Sequence, residues 1–118
     1  MTLHATLVDE IVNRFGEQLD GAPQIGHDAV TLRFQNGLML QARFANPEEY
    51  SIQWHFGEAE LRIDTAPLHP ELSTFPHHMH DRHGKTHPDP LTTPGRSPWD
   101  NLQTVLDVIM KNPLAVGD

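Results

Sequence analysis

Histidine is concentrated in one part of this chain. Of its nine histidines, six lie between residues 65 and 96, and three of those fall in the stretch FPHHMH at residues 75–80. Histidine changes its charge near neutral pH and is a common metal ligand, so it suits both proton transfer and metal binding. In an extended segment His78 and His80 project to the same side, because side chains two residues apart share a face. The pair is therefore expected to share a metal ion or to act as a base and an acid. A plain polar loop is the alternative.

Asp64 and His69 lie just before this stretch and strengthen the case for a site. Asp64 is predicted to end a strand, and strand ends commonly carry functional residues into loops. Only the four residues TAPL separate it from His69, and the prolines nearby restrict the link. We therefore expect both residues to share a pocket with His78 and His80, with Asp64 orienting a histidine. An ordinary surface ion pair between Asp64 and a neighbouring arginine is the alternative.

Neighbouring residues are expected to support this site. Glu71 adds a carboxylate shortly after His69. Phe75 is expected to anchor the segment in the core, and His77 is expected to point away from the pair into the body of the fold. His83 and His87 lie in a segment expected to be loop, and no role is assigned to them.

Composition limits the chemistry. The chain has 118 residues, a length typical of one domain, here 1–118. With no cysteine, thiolate catalysis and cysteine-bound zinc are excluded, so any metal would be held by histidine nitrogen and carboxylate oxygen. The net charge of −8 argues against a general nucleic-acid binder, although residues 29–47 contain two arginines and no acidic residue. No apolar run is long enough to span a membrane and the N-terminus is not typical of a signal peptide, so we expect a cytoplasmic protein.

Two helices are predicted, one at each end of the chain. Apolar residues at helical spacing indicate a first helix over residues 3–15; they are Leu3, Leu7, Val8, Ile11, Val12 and Phe15. His4 is expected at the surface. Ser97, Pro98 and Asp100 are typical of the start of a second helix, which Asn112 and Pro113 would end. Its buried stripe would contain Trp99, Leu102, Val105, Leu106, Ile109 and Met110.

The middle of the chain predicts a four-stranded antiparallel meander over residues 29–64. A two-residue turn at Asn36-Gly37 would put the apolar sets of the first two strands on opposite faces. A three-residue loop with Gly37 in the left-handed region pairs Phe34 with Leu38 and Leu32 with Leu40, and keeps the sets together. The fold is thus predicted as α+β: helix, four-stranded sheet, a His- and Pro-rich loop over residues 65–97 and a C-terminal helix, with both helices on the apolar face. Within the loop, the stretch STFPHHMH is expected to be a further strand or an extended segment.

The opposite face of this sheet is polar and is expected to remain open. Arg33, Arg43 and Arg62 share it with His55 and are candidate substrate-binding residues. Ordinary solubilising charges on an outer sheet face are the alternative interpretation.

The stretch RIDTAPLHPELSTFPHHMH, from Arg62 to His80, resembles the signature of the TumE family of type II toxin–antitoxin toxins. The matching positions are Asp64, Pro67, His69, Pro70, Glu71, Phe75, Pro76, His77, His78 and His80. The resemblance implies a toxin with RNA cleavage as its activity and a helix-turn-helix antitoxin from the same operon as its partner. A homodimer or a larger complex with the antitoxin is expected.

Two reaction types fit the predicted site. Without a cofactor, one histidine would remove the 2′-hydroxyl proton of RNA, another would protonate the leaving oxygen, and an arginine would stabilise the charged phosphate. Alternatively, Asp64, His69, His78 and His80 would bind a divalent metal in a nuclease or phosphodiesterase. A non-enzymatic module that binds a metal or a protein is the third interpretation.

Overall fold

The computed structural model describes residues 3–26 and 28–114. Within them it contains two α-helices and one antiparallel sheet. In chain order the elements are α1 (Leu3–Phe15), a 3₁₀ turn (Gly16–Gln18), β1 (Gln24–Gly26), β2 (Ala29–Arg33), β3 (Met39–Asn46), β4 (Glu49–Phe56), β5 (Ala59–Asp64), β6 (His78–His80), β7 (Thr86–Pro88) and α2 (Pro98–Lys111). None of the helices described is long and apolar enough to cross a membrane.

The α+β class is confirmed, but the prediction of a four-stranded sheet is wrong. The sheet has seven strands, each paired with its neighbours in chain order from β1 to β7. The four predicted strands are β2 to β5, and β1, β6 and β7 extend the sheet at both edges. Each added strand is only three residues long, too short to show a hydrophobic period. The segment predicted as loop over residues 65–97 therefore contributes two strands.

The predicted register of the first long hairpin is confirmed. Leu32 pairs with Leu40, and the Phe34 amide donates a hydrogen bond of 2.9 Å to the Leu38 carbonyl. Gly37 has a φ of 92°, a conformation that residues with a side chain rarely adopt. This register places Val30, Leu32, Leu40, Ala42 and Phe44 together on the face covered by the helices.

The core lies between this face and the two helices. Its fully buried side chains include Trp54, Leu32, Leu40, Ile52, Leu61, Ile63, Met79, Leu102 and Leu106. Met79 comes from β6, so the histidine segment is packed into the core through the residue between His78 and His80. The sheet face opposite the helices is the polar one, as predicted.

The helix boundaries agree with the prediction, while the buried face of α1 differs in part. Ser97 caps α2 by accepting a hydrogen bond of 3.1 Å from the Asp100 amide. On α1, Leu3 and Val12 are exposed. His4 is buried instead, and its Nε2 accepts a hydrogen bond of 3.3 Å from the Phe44 amide. The expectation of a surface His4 was wrong because a backbone donor is available to satisfy its ring nitrogen.

Candidate acid–base site

The site is assembled by the pairing of β5 with β6. The two strands are antiparallel, with Asp64 opposite His78 and Arg62 opposite His80. Directly opposed residues on a sheet project to the same face, so these four side chains meet on the polar face. The prediction that the FPHHMH segment lies beside the end of the Asp64 strand is confirmed.

Asp64 is the centre of the contacts in this site. Its carboxylate is only 12% exposed. Oδ1 accepts a hydrogen bond of 3.0 Å from the Ala66 amide and lies 3.0 Å from His78 Nε2. Oδ2 lies 2.9 Å from Arg62 Nε and 3.6 Å from His80 Nε2. The carboxylate thus contacts both histidines and also forms the ion pair with a neighbouring arginine that was the alternative.

Three imidazoles cluster here, and two of them, His78 and His80, contact this carboxylate. The ring of His78 lies 4.7 Å from that of His69 and 4.8 Å from that of His80, and the two outer rings are 6.1 Å apart. His78 is only 1% exposed, whereas the side chains of His69 and His80 are 29% and 25% exposed. A substrate could therefore touch the two outer rings but not the middle one.

Carboxylate and guanidinium groups contact the two outer rings, His69 and His80. His69 Nδ1 lies 3.3 Å from Glu71 Oε1, so the predicted supporting carboxylate is in contact with the site. Arg62 Nη2 lies 3.1 Å from His80 Nε2. Because a guanidinium can only donate, this nitrogen accepts and must be unprotonated. Burial lowers the pKa of His80 below its ordinary value of 6.5 and the positive charge of Arg62 lowers it further, although Asp64 acts in the opposite direction.

Two buried nitrogens beside Asp64 do not have a well-formed hydrogen bond. His78 Nε2 and Arg62 Nε each lie close to a carboxylate oxygen, yet neither makes a hydrogen bond of acceptable geometry within the described residues. On the other side of the ring, His78 Nδ1 lies 3.4 Å from the Pro76 carbonyl. The buried imidazole is therefore held by packing more than by directed bonds.

An open groove of about 810 Å³ adjoins the carboxylate. Its lining includes two arginines, Arg43 and Arg62, and three carboxylates, Glu48, Glu49 and Asp64. The polar Ser51 and Gln53 and the apolar Pro67, Leu68 and Pro76 also line it. A second cavity of about 310 Å³ is lined by His80 and also by Arg62. Arg62 thus borders both spaces.

The four residues predicted to bind substrate divide into two pairs. Arg43 and Arg62 line the groove. Arg33 and His55 line neither cavity. They belong to one row of paired residues that runs across the strands from Arg33 on β2 to Glu60 on β5. Glu60 is four residues from Asp64 on the same strand, which corresponds to roughly 13 Å. Of these four residues, Arg62 is the one that contacts a histidine of the site.

The segment that carries His78 is anchored differently from the prediction. Phe75 is 45% exposed, so the prediction that it anchors the segment in the core is wrong. His77 does point into the fold, as predicted, and its Nδ1 lies 2.8 Å from Asp89 Oδ2. Asp89 also accepts hydrogen bonds from the Thr92 hydroxyl and from the backbone amides of Leu91 and Thr92. This buried carboxylate had not been predicted, and the only signal for it is a turn-forming Asp-Pro followed by two threonines.

A second unpredicted carboxylate, Asp81, shapes the turn between β6 and β7. Its Oδ1 accepts hydrogen bonds from the His83 and Lys85 amides, and its Oδ2 lies 2.6 Å from His87 Nε2. The hydrogen bond with His87 is the main reason that the pKa of Asp81 falls to about 2. His87 therefore has a structural partner in a turn outside the site.

A model of one protein family, described as toxin TumE, matches residues 4–112 of the chain. The matched region contains both helices, the whole sheet and every residue of the site. Comparison with curated proteins gave no match, and comparison with solved structures gave none either.

Proposed function

Because the chain belongs to the TumE toxin family, we propose that it acts as an endoribonuclease, using histidines for acid–base catalysis and requiring no metal ion. The main support is the pair of accessible imidazoles, His69 and His80, beside the ion pair of Asp64 and Arg62. Cleavage of RNA by its own 2′-hydroxyl needs a base at that oxygen and an acid at the leaving 5′-oxygen. Two rings whose centres are 6.1 Å apart can reach the two sides of one phosphate.

His80 is the base in this proposal. Its lowered pKa keeps it unprotonated at neutral pH, the state in which it can accept the 2′-hydroxyl proton. Arg62 at present donates to the ring nitrogen that would do so. When a phosphate binds, Arg62 turns its Nη2 group to the phosphate oxygen and frees His80 Nε2. The same movement places a positive charge on the phosphate as its negative charge increases.

His69 is the acid. Its ring is the other accessible imidazole, and Glu71 orients it through Nδ1. Protonated His69 donates the proton from its remaining ring nitrogen to the 5′-oxygen as the P–O bond breaks. The products are a 2′,3′-cyclic phosphate and a 5′-hydroxyl end.

Asp64 and His78 position these groups. His78 is too buried to touch a substrate. It instead packs against one oxygen of Asp64, while the other oxygen holds Arg62 Nε. The guanidinium is thereby placed next to His80, from where its Nη2 group can turn to the phosphate. The groove beside them receives the RNA strand, and Arg43 and Arg62 provide its positive charge.

Family membership implies an antitoxin partner. We propose a helix-turn-helix protein with an extended acidic segment that covers the arginines of the groove and excludes RNA from it. The open polar face of the sheet supports this, since both arginine side chains are close to half exposed.

The reaction is tested with tag-free protein and an end-labelled single-stranded RNA in excess EDTA. Wild type is expected to cleave it and leave a 2′,3′-cyclic phosphate, while a substrate with 2′-deoxy sugars stays intact. His80→Ala is expected to reduce the rate by roughly 10²-fold or more. His83→Ala is the matched control, because His83 is an exposed histidine outside the site. Cleavage of the deoxy substrate, or loss of activity in EDTA, would contradict the proposal.

Toxicity is tested in cells by inducing the gene with and without its neighbour in the operon. Wild type alone is expected to stop growth, and the neighbour is expected to restore it. His80→Ala should permit growth at equal protein level, whereas His83→Ala should not. Growth arrest by both variants would argue against the assigned site.

A further inference from the structure

The three imidazoles of the site also form a set of metal ligands. We infer that His69, His78 and His80 bind one divalent transition-metal ion, and that this ion switches off the site. The binding is independent of the reaction proposed above, whereas the inhibition rests on it. The ion would take the ring nitrogens that serve as base and acid and would leave neither free to move a proton.

The distances support a common ion. One nitrogen from each ring can be chosen so that all three lie within 4.8 Å of one another. Ligands of a tetrahedral ion with metal–nitrogen bonds near 2.05 Å are roughly 3.4 Å apart. His69 and His80 are partly exposed and can rotate to close the remaining distance. His78 provides a fixed, buried third position.

The state of His78 is the second, independent observation. Its side chain is 1% exposed, yet among the described residues Nε2 makes no hydrogen bond, although it lies 3.0 Å from Asp64 Oδ1. If Nδ1 donates to the Pro76 carbonyl, Nε2 carries a lone pair and lies beside a carboxylate oxygen with no donor between them. A cation between the two would relieve this repulsion. A ligand histidine that donates its other nitrogen to a backbone carbonyl is also the usual arrangement around metals.

The ligand set selects the kind of metal. Three imidazoles without a thiolate suit Zn²⁺, Co²⁺, Ni²⁺ or Cu²⁺, whereas Mg²⁺ and Ca²⁺ prefer sites made of oxygen. Of the two carboxylates at the site, Asp64 is held by Arg62 and Glu71 contacts His69 Nδ1. Water, or Asp64 once Arg62 has moved, completes the coordination.

Arg62 competes with the ion in this arrangement. Its Nη2 group lies 3.1 Å from His80 Nε2, the position that the ion would take, and its charge repels a cation. Removing it would free both the ring nitrogen and the carboxylate. Arg62→Gln is therefore expected to bind metal more tightly than wild type, a direction of change that a merely structural role for Arg62 would not produce.

Binding is measured on the full chain, with no affinity tag, by adding Co²⁺ and recording the visible absorption of the tetrahedral ion. One ion per chain is expected. His80→Gln and His69→Gln should each weaken binding by more than the roughly tenfold that loss of an outer-shell partner costs. His83→Gln should bind as wild type does, and Arg62→Gln more tightly. An octahedral spectrum, equal loss in His83→Gln, or weaker binding by Arg62→Gln would overturn the inference.

Inhibition is measured by adding Zn²⁺ to the RNA cleavage assay. Cleavage by wild type is expected to fall at one equivalent of Zn²⁺ and to return when EDTA is added. Cleavage stimulated by Zn²⁺ would overturn the inhibition. If no RNA is cleaved under any condition, the proposed function fails, and the Co²⁺ titration still decides the metal site separately.

Discussion

At the scale of single residues, His80 is the group whose state is most closely set by its neighbours. Arg62 lies on one side of the ring nitrogen and the carboxylate of Asp64 a little further on the other. The guanidinium favours the neutral ring and the carboxylate the charged one, so their effects oppose each other. Burial acts with Arg62, and the pKa of His80 is lowered. A base whose pKa lies below neutrality is fully available at neutral pH without a separate activating group.

This balance predicts the effect of removing Arg62 on the titration of His80. In metal-free wild type, the His80 ring is expected to titrate below pH 6.5. In Arg62→Gln the pKa of His80 should rise, because the positive charge that lowers it is removed. The Asp64 carboxylate, which raises this pKa, is then no longer paired with an arginine. The pKa is read from the ring C–H signals of His80 by NMR in EDTA.

Arg43→Gln is the control for this titration. It removes a groove arginine that is not among the charges that shift the pKa of His80. The pKa should therefore stay at the wild-type value. A lower pKa in Arg62→Gln, or equal shifts in both variants, would contradict this account.

At the scale of elements, the long strands could be predicted and the short ones could not. The alternation of apolar residues in β2 to β5 fixed their register, because a slip by one residue would have exposed the whole apolar set. The three-residue strands β6 and β7 have no such period. They form because the edge of β5 offers unpaired backbone groups and Met79 fills the core.

The grouping of the site residues could be predicted from their chemistry and not from a hydrophobic period. The chemistry of the side chains requires partners; the residues are Asp64, His69, His78 and His80. The chain between them is also short and rich in proline. Hydrophobicity alone places Phe75 in the core, which is wrong. The segment is anchored by the buried Met79 and by the contact of His77 with Asp89, and no hydrophobic pattern can indicate the second of these.

The anchor of β6 can be tested through Asp89. Asp89→Asn removes the charged acceptor for His77 and for the Thr92 hydroxyl while keeping the size of the side chain. Since a hydrogen bond to a charged group contributes about 1.5–3 kcal/mol, a loss of about 3 kcal/mol in the free energy of unfolding is expected. Urea denaturation measures it, and RNA cleavage should fall at temperatures where the variant is still folded.

Asp28→Asn is the matched substitution for this measurement. Asp28 is exposed and lies 3.6 Å from Arg43, so its loss should change the free energy of unfolding by less than about 0.5 kcal/mol. Equal destabilisation by the two variants would show that Asp89 is not a special anchor.

At the scale of the whole molecule, the two faces of the sheet have separate tasks. The helices cover the apolar face and contribute to the core, and none of the site residues belongs to them. The polar face carries the site, the groove and its arginines. In a chain with a net charge of −8, the two groove arginines are the expected contacts for a negatively charged segment, which would replace their ion pairs with Asp28 and Asp64. RNA and an acidic antitoxin segment would therefore compete for the same surface.

This competition predicts how charge reversal affects the complex with the antitoxin. Arg43→Glu changes a groove residue that has no part in the proton transfers, and it should weaken the complex by at least tenfold, measured by calorimetry with the purified neighbouring gene product. Lys111→Glu alters the net charge equally, but it lies at the end of α2, the helix that covers the apolar face. It should leave the affinity within about twofold, since screening limits the reach of an exposed charge to roughly 8–10 Å.

Raising the salt concentration should reduce the affinity of wild type more than that of Arg43→Glu, because the variant has already lost the charged contact. Equal weakening by both variants would mean that the antitoxin responds to net charge alone, and binding unaffected by either would place the antitoxin on another surface.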